Sequence, residues 1–343
     1  AHRPPPAPPD TDRRRPAAMT DYSVLLPCVP RRLEQALPFA GLVRWTGAAR
    51  LWQGQAMVME PHQTFTGMAG AGFRVPTGFG VTLMPLRHPY EAALQARSVA
   101  LATGEPVIAG FGPGSPAFQA NILGAPYAKP LQVAREYVTA VRGLLDGETV
   151  EAAGPHYTFR GQLAPAAAPR VDVGLGVLRP GMARLAGEVA DVVITWLTPP
   201  SYLRDVILPA VAEGAARAGR TSLPRVVAMV PTGLEADGRE GASPERLAVA
   251  GNAAHMQAPH YLDMLGRAGV DVSSGQLADV ARGVVETGAF VGGDLAQVVK
   301  GLRAYEEAGV DEIVLNTSAV HKLFGSRDSL SDLSSILQAV TAP

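Results

Sequence analysis

With one cysteine, Cys28, in 343 residues, the chain has no internal disulfide framework and no structural zinc site built on thiolates. An excess of one charge is missing too. Thirty basic side chains face thirty-one acidic ones, so no global field draws the protein to nucleic acid or to an anionic membrane surface. Apolar runs are broken by charge, Gly or Pro well before the roughly 18 residues that a membrane helix needs. Lysine is scarce, with arginine taking its place almost throughout. Against these absences stand 47% hydrophobic residues, 37 glycines and 30 prolines. A chain of this length can bury roughly three-quarters of the surface it exposes when unfolded. The expectation is a globular cytoplasmic enzyme without a nucleic-acid or membrane partner.

Residues 1–18 stand apart. They hold six prolines, four arginines and no large apolar side chain. Such a segment cannot bury enough surface to offset its ordering entropy, and it lacks the apolar core of a signal peptide. It is expected to be a disordered extension, with Met19 opening the folded unit that runs over 19–343.

From Tyr22 the chain alternates between short apolar runs and longer stretches of helical period. Strands are expected at Tyr22–Val29, Arg50–Gly54, Gly78–Met84, Val107–Phe111, Val171–Val177, Asp191–Trp196, Val226–Pro231 and Glu312–Leu315. Helices are expected at Arg31–Trp45, Pro61–Ala71, His88–Thr103, Lys129–Leu145, Gly181–Ala190, Tyr202–Ala218, Asp294–Ala308 and Leu330–Val340. A mostly helical insertion over 243–288 follows the seventh strand. Eight strand–helix units make a (β/α)8 TIM barrel, an α/β fold, whereas a doubly wound sheet needs fewer units and no dinucleotide fingerprint follows the first strand. The barrel places chemistry in the loops after the strands.

Those loops carry the candidate residues. After strand four come Gly110, Gly112, Gly114 and Ser115, where alternating glycines let backbone approach a ligand; plain turn chemistry explains them equally well. After strand five come Gly176 and Arg179-Pro180-Gly181-Met182, an arginine beside a Pro-started helix. That arrangement suits a phosphate, the alternative being an ordinary helix start with an exposed arginine. Strand two is followed by Glu60 and His62, which lack the spacing of helical metal ligands, so no metal site is expected. His88 reads as a cap or packing residue and Cys28 as a structural thiol. A phosphate site with apolar walls and few acid–base groups suits a bound redox cofactor.

Segment 79–147 resembles the luciferase-like monooxygenase family of flavin- or deazaflavin-dependent oxidoreductases. The matching residues are Gly80-Val81, Arg87-His88-Pro89, the run 109–114, Leu123-Gly124, Arg135-Glu136 and the run 142–147. The runs 180–191 and 304–312 are similar to the family's fifth helix and its approach to strand eight. The resemblance implies a (β/α)8 barrel with an insertion after strand seven, a homodimer, and either FMN or coenzyme F420. Gly112-Pro113-Gly114-Ser115 with Lys129-Pro130-Leu131 looks like the methylenetetrahydromethanopterin reductase branch, which uses F420. Two departures stand out: Ser115 replaces that branch's usual acidic residue, and Gln55-Ala56 replaces the family's acidic–His pair.

On this likeness the cofactor ring would lie near Gln53, Thr82, Leu83, Met84 and Gly110, with a non-prolyl cis peptide near Val81–Met84. Its phosphate would sit at Arg179–Met182, with Gly176 giving backbone access. The implied function is an F420H2-dependent reductase that transfers hydride to an electron-poor double bond. Glu60 or His62 would supply the proton, or a water in their stead. The substrate would be a small molecule or a peptide, for example a dehydroalanine in a lanthipeptide. The alternatives are an FMN-dependent monooxygenase fed by a partner reductase and a non-catalytic flavin-binding homologue. In the insertion, Asn252, His255, Met256, Gln257 and Tyr261 are expected in a pocket lid, with His255 and His260 as exposed helix residues.

Overall fold

The computed structural model describes residues 19–236, 239 and 241–341; the expected disordered extension, 1–18, lies outside the described residues. Eight parallel strands close on themselves: β1 (Asp21–Leu25), β2 (Leu51–Gln53), β3 (Thr77–Leu83), β4 (Val107–Gly112), β5 (Val171–Gly176), β6 (Val192–Trp196), β7 (Arg225–Leu234) and β8 (Glu312–Asn316). Each pairs with its neighbours in sequence order, and β8 returns to β1 through Asp21–Glu312 to Val24–Leu315. This is the (β/α)8 barrel expected from the alternation.

Around it lie α1 (Leu37–Trp45), α2 (Pro61–Gly70), α3 (Pro89–Thr103), α4 (Pro130–Leu145), α5 (Pro180–Val189), α6 (Leu208–Arg217), α7 (Leu295–Glu307) and α8 (Ser326–Thr341). Proline explains many of the helix starts. Pro61, Pro89, Pro130, Pro180, Pro244 and Pro259 each open a helix, where the missing N–H has no intrahelical partner to lose. Between β7 and β8 the insertion folds into the helices Pro244–Met256, Pro259–Arg267 and Leu277–Glu286. Short elements that the periodicity does not announce include a hairpin, Val150–Ala153 with Thr158–Gly161, a strand, Val291–Gly293, and the helices Pro116–Leu123 and Ser318–Phe324. The expected helix at Arg31–Trp45 starts late, because Leu33–Gln35 forms a 3-10 turn before Pro38.

Two apolar layers hold the fold. The larger lies between strands and helices; the smaller fills the lumen with Leu25, Trp52, Ile108, Val192, Val227 and Val314, beneath Ile194 and Met229. Alternation along each strand sends these residues inward and their neighbours outward to the helices. The Trp52 indole is accommodated by a missing side chain opposite: a Cβ at Gly78 would lie 2.4 Å from its ring.

Below the apolar filling, at the strand N-termini, Glu312 is wholly buried. Its carboxylate accepts from Ser23 Oγ (2.7 Å), Arg50 Nε (2.9 Å), Trp52 Nε1 (2.8 Å) and an Arg225 guanidinium nitrogen (3.3 Å). These donors come from β1, from β2 and the residue that precedes it, and from β7, while Glu312 opens β8. One side chain therefore ties the seam where the barrel closes. Glu312→Ala strands Arg50 in the interior and is expected to cost about 3–5 kcal/mol. Denaturant unfolding followed by circular dichroism measures this; a midpoint equal to wild type would show that the network is dispensable.

Candidate active site

At the strand C-termini the lumen is capped by Val81 and Trp196. The peptide Gly80–Val81 is cis, beginning one residue before the stretch where such a bond was expected. Backbone from three strands or their ends gathers around it. A Cβ on Gly54 would lie 3.2 Å from the Gly80 carbonyl, one on Gly112 2.8 Å from Val81 Cγ2, and one on Gly176 3.4 Å from Val81 Cγ1. Gln55 N–H donates to the Val81 carbonyl at 2.9 Å. The floor of the mouth is thus backbone and methyl groups, with side chains kept off it by glycine.

The residues expected around a cofactor ring divide. Gly112 and Gly176 come together beside Val81, whereas Gly110 is required by packing: a Cβ there would meet the Phe79 carbonyl at 2.1 Å and Ile194 Cδ1 at 2.4 Å. Thr82 directs its hydroxyl to the Gly110 carbonyl (3.1 Å). Leu83 lies beside Gly114, which has φ +72°, and Met84 is buried in the outer core. Ser115 caps the helix Pro116–Leu123 by accepting from Phe118 N–H. Gln53 is buried, and both polar atoms of its amide lack a partner among the described residues. Alternation carries Gln53 to the side of Leu51, away from the lumen that Trp52 occupies. Cys28 is half-buried against the core with its thiol pKa raised by burial, and His88 caps α3.

Glu60 and His62 do meet. Glu60 is the N-cap of α2 and accepts from the His62 backbone N–H (3.3 Å), while His62 Nδ1 lies 2.7 Å from Glu60 Oε2. Gln55 Nε2 donates to Glu60 Oε1 at 3.0 Å, and Arg87 pairs with the same carboxylate and with Gln55 Oε1. So Gln55, standing where the family's acid was expected, is hydrogen-bonded to an acid five residues on. Burial raises the Glu60 pKa, but hydrogen bonds from His62 and Gln55 and the charges of His62 and Arg87 outweigh it, leaving the group at about 2. A carboxyl held ionised in this way is a poor proton donor near neutrality. The His62 ring packs on Phe79, on the helix side of β3 (centroids 4.3 Å apart).

At the start of α5, Arg179 does not stand free: its Nε pairs with Asp263 of the insertion at 2.8 Å. Arg267 pairs with the same carboxylate at 3.1 Å, so two guanidinium groups share one acid. Tyr202 nearby has a buried hydroxyl with no partner among the described residues. Pro180 is the first residue of α5, followed by Gly181 and Met182.

Trp196 was not singled out in the sequence, whereas His255 was expected in the lid. Trp196 ends β6 facing inward, and His255 of the insertion stacks on it rather than lying exposed. At the opposite end of the barrel a cavity of about 700 Å³ is lined by Arg97, Arg142, Asp146, Arg170 and Asp191. Its arginines are engaged, Arg142 with Asp191, Arg170 with Asp172 and Arg97 with the Ala164 carbonyl.

A closed (β/α)8 barrel with its glycine-floored opening at the strand C-termini defines a TIM-barrel enzyme. The family model for luciferase-like monooxygenases matches residues 14–312, and the chain belongs to that family of oxidoreductases. Over 161 residues it is 32% identical to a 5,10-methylenetetrahydromethanopterin reductase of Methanolobus tindarius, a match covering 47% of this chain and about half (49%) of that protein. Its fold is similar to the coenzyme F420-dependent tetrahydromethanopterin reductase of Methanopyrus kandleri, with TM-score 0.69 and 19% identity, covering 94% of this chain and 97% of that one. It is also similar to the oxygenating constituent of 3,6-diketocamphane monooxygenase from Pseudomonas putida, solved with FMN, with TM-score 0.68 and 14% identity, covering 94% and 98%.

The Glu60 assignment has a pH signature. Its folded pKa of about 2 lies below the ordinary 4.5, so its stabilising contribution is present above pH 4.5 and is lost as pH falls towards 2. Glu60→Gln is expected to be less stable than wild type at about pH 7, with the gap narrowing by about pH 3. Paired denaturation curves at both values test this, and a pH-independent gap would remove the assignment.

Proposed function

We propose that this protein is an F420H2-dependent reductase acting on an electron-poor double bond. The observation that carries this reading is the 32% identity to a methylenetetrahydromethanopterin reductase. The residues present suit an anionic, flat-ringed cofactor. Arg179 and Arg267 bring two positive charges against Asp263, beside the N–H groups of the first turn of α5 and the Tyr202 hydroxyl, unpartnered among the described residues. Gly112 and Gly176, around Val81, leave room for a ring against backbone. When bound, the reduced deazaflavin supplies the hydride.

This chain's part is then to orient, to exclude water and to manage a proton. Of the two candidate acids the geometry favours His62. Ionised Glu60 accepts from Nδ1, which fixes the tautomer and leaves Nε2 as the atom that carries or passes the proton. Arg87 and Gln55 hold Glu60 in place. Reduction of a dehydroalanine in a lanthipeptide is the substrate reading to test first, with the enzyme as a cytoplasmic homodimer.

Fluorescence titration with both cofactors is the direct test: micromolar binding of F420 is expected, and binding of FMN alone would replace this reading with the flavin monooxygenase one. Relatives of the second kind exist, as the FMN-bound Pseudomonas putida protein illustrates. His62→Gln is expected to lower turnover about 100-fold while leaving cofactor affinity nearly intact. Unchanged turnover would exclude His62 as the proton carrier.

A further inference from the structure

On the side of the mouth opposite Val81, three polar atoms are buried without a partner among the described residues: Trp196 Nε1, Asn252 Oδ1 and His255 Nδ1. Buried polar groups in folded proteins are nearly always paired, so three together point to something that pairs them. Asn252 is 1% exposed, and its other amide atom makes a long 3.5 Å bond to the Ala248 carbonyl. Asn252 and His255 are three apart on the helix Pro244–Met256 and therefore share a face. That face meets the barrel through His255, whose ring stacks on Trp196 with centroids 5.2 Å apart and planes 28° apart. Tyr261 closes on His255 edge-on at 4.9 Å.

The indole is held in place from below. Leu197, directly after it, has φ +53°, a left-handed conformation that a branched side chain adopts at a cost. The turn is fixed by Thr198 Oγ1 donating to the Trp196 carbonyl (3.0 Å) and by Tyr305 Oη donating to the Thr198 carbonyl (3.1 Å). Non-glycine residues in this conformation persist where surrounding contacts over-determine them, and they cluster at ligand-handling sites.

We infer that Trp196, Asn252 and His255 form a substrate-recognition shelf for an uncharged group of the carboxamide or lactam type, one that both accepts and donates a hydrogen bond. The indole N–H is a donor only and the Asn252 oxygen an acceptor only, so an amide, which carries both an acceptor and a donor, matches the pair in kind. Burial, with a smaller contribution from the charge of His260, lowers the His255 pKa to about 4, so the imidazole is neutral near pH 7 and offers no charge to a carboxylate. The shelf rests on the reductase reading only in that the bound group belongs to its substrate. An open-chain amide is the peptide form of this chemistry and a lactam the heterocyclic form.

The test is a titration of 15N-labelled protein, with and without saturating F420, in which the Trp196 indole N–H resonance is followed; Trp45→Phe and Trp196→Phe assign it. Benzamide, benzoate and 2-pyridone are the probes. Benzamide or 2-pyridone is expected to shift that resonance saturably while benzoate does not, and the tighter of the two names the open-chain or the lactam form. Asn252→Leu and His255→Phe are each expected to weaken the neutral probe about ten-fold, with F420 affinity unchanged. Equal binding of benzoate, or no response to either neutral probe, overturns the proposal. Failure of F420 to bind while benzamide still shifts Trp196 would sink the reductase reading and leave the shelf standing.

Discussion

The Trp52 indole is the piece around which the rest is arranged. It is fully buried in the lumen, donates from Nε1 to Glu312 below, and faces the Arg50 guanidinium, whose carbon lies 5.9 Å from the ring centroid. Its bulk requires glycine at Gly78, and a Cβ on Gly80 would lie 3.2 Å from its ring and 2.1 Å from Met229 Cε. The same close packing that stabilises the lumen therefore keeps a side chain off Gly80, in the floor of the mouth. Stability at the base and access at the opening are two effects of one filled interior.

Glu60 shows a similar economy. Its carboxylate caps α2, a local requirement that any N-terminal Asp, Asn or Ser would meet. The added contacts to Gln55, His62 and Arg87 turn that cap into a fixed negative charge between the second and third strands. Such a charge, held near a pKa of about 2, orders the imidazole beside it. Local helix chemistry and site electrostatics are the same hydrogen bonds.

The barrel was legible because its signal is periodic: short apolar runs such as Val107–Gly112, then amphipathic stretches such as Pro130–Leu145. The hairpin Val150–Ala153 with Thr158–Gly161 was not, since its strands are four residues each and largely solvent-facing. Glycine was legible as a need for close approach but not as to what approaches; at Gly78 and Gly110 the neighbours are Trp52 and the Phe79 carbonyl. Glu60 and His62 were found by type and nearness, whereas their tie to Gln55 and Arg87 depends on how two loops fold together. The insertion is legible as a lid that carries His255, but Trp196 lies 59 positions away and no local pattern announces the stack between them. Arg179 was read as free positive charge because its partner, Asp263, also comes from that insertion.

The proline-led helices carry one more consequence. Each βα connection leaves a strand at the mouth, so Pro61, Pro89, Pro130 and Pro180 mark the ends of helices that all start there. Every such start bears the partial positive pole of its helix, and proline fixes the backbone angle that aims it. A chain whose side chains sum to −1 thereby turns several helix poles toward its opening, in addition to the charges of Arg87 and Arg179 and against that of Glu60, which caps one of those helices. The dipole part of that field is backbone, so it does not titrate, and substitution of a charged side chain leaves it in place.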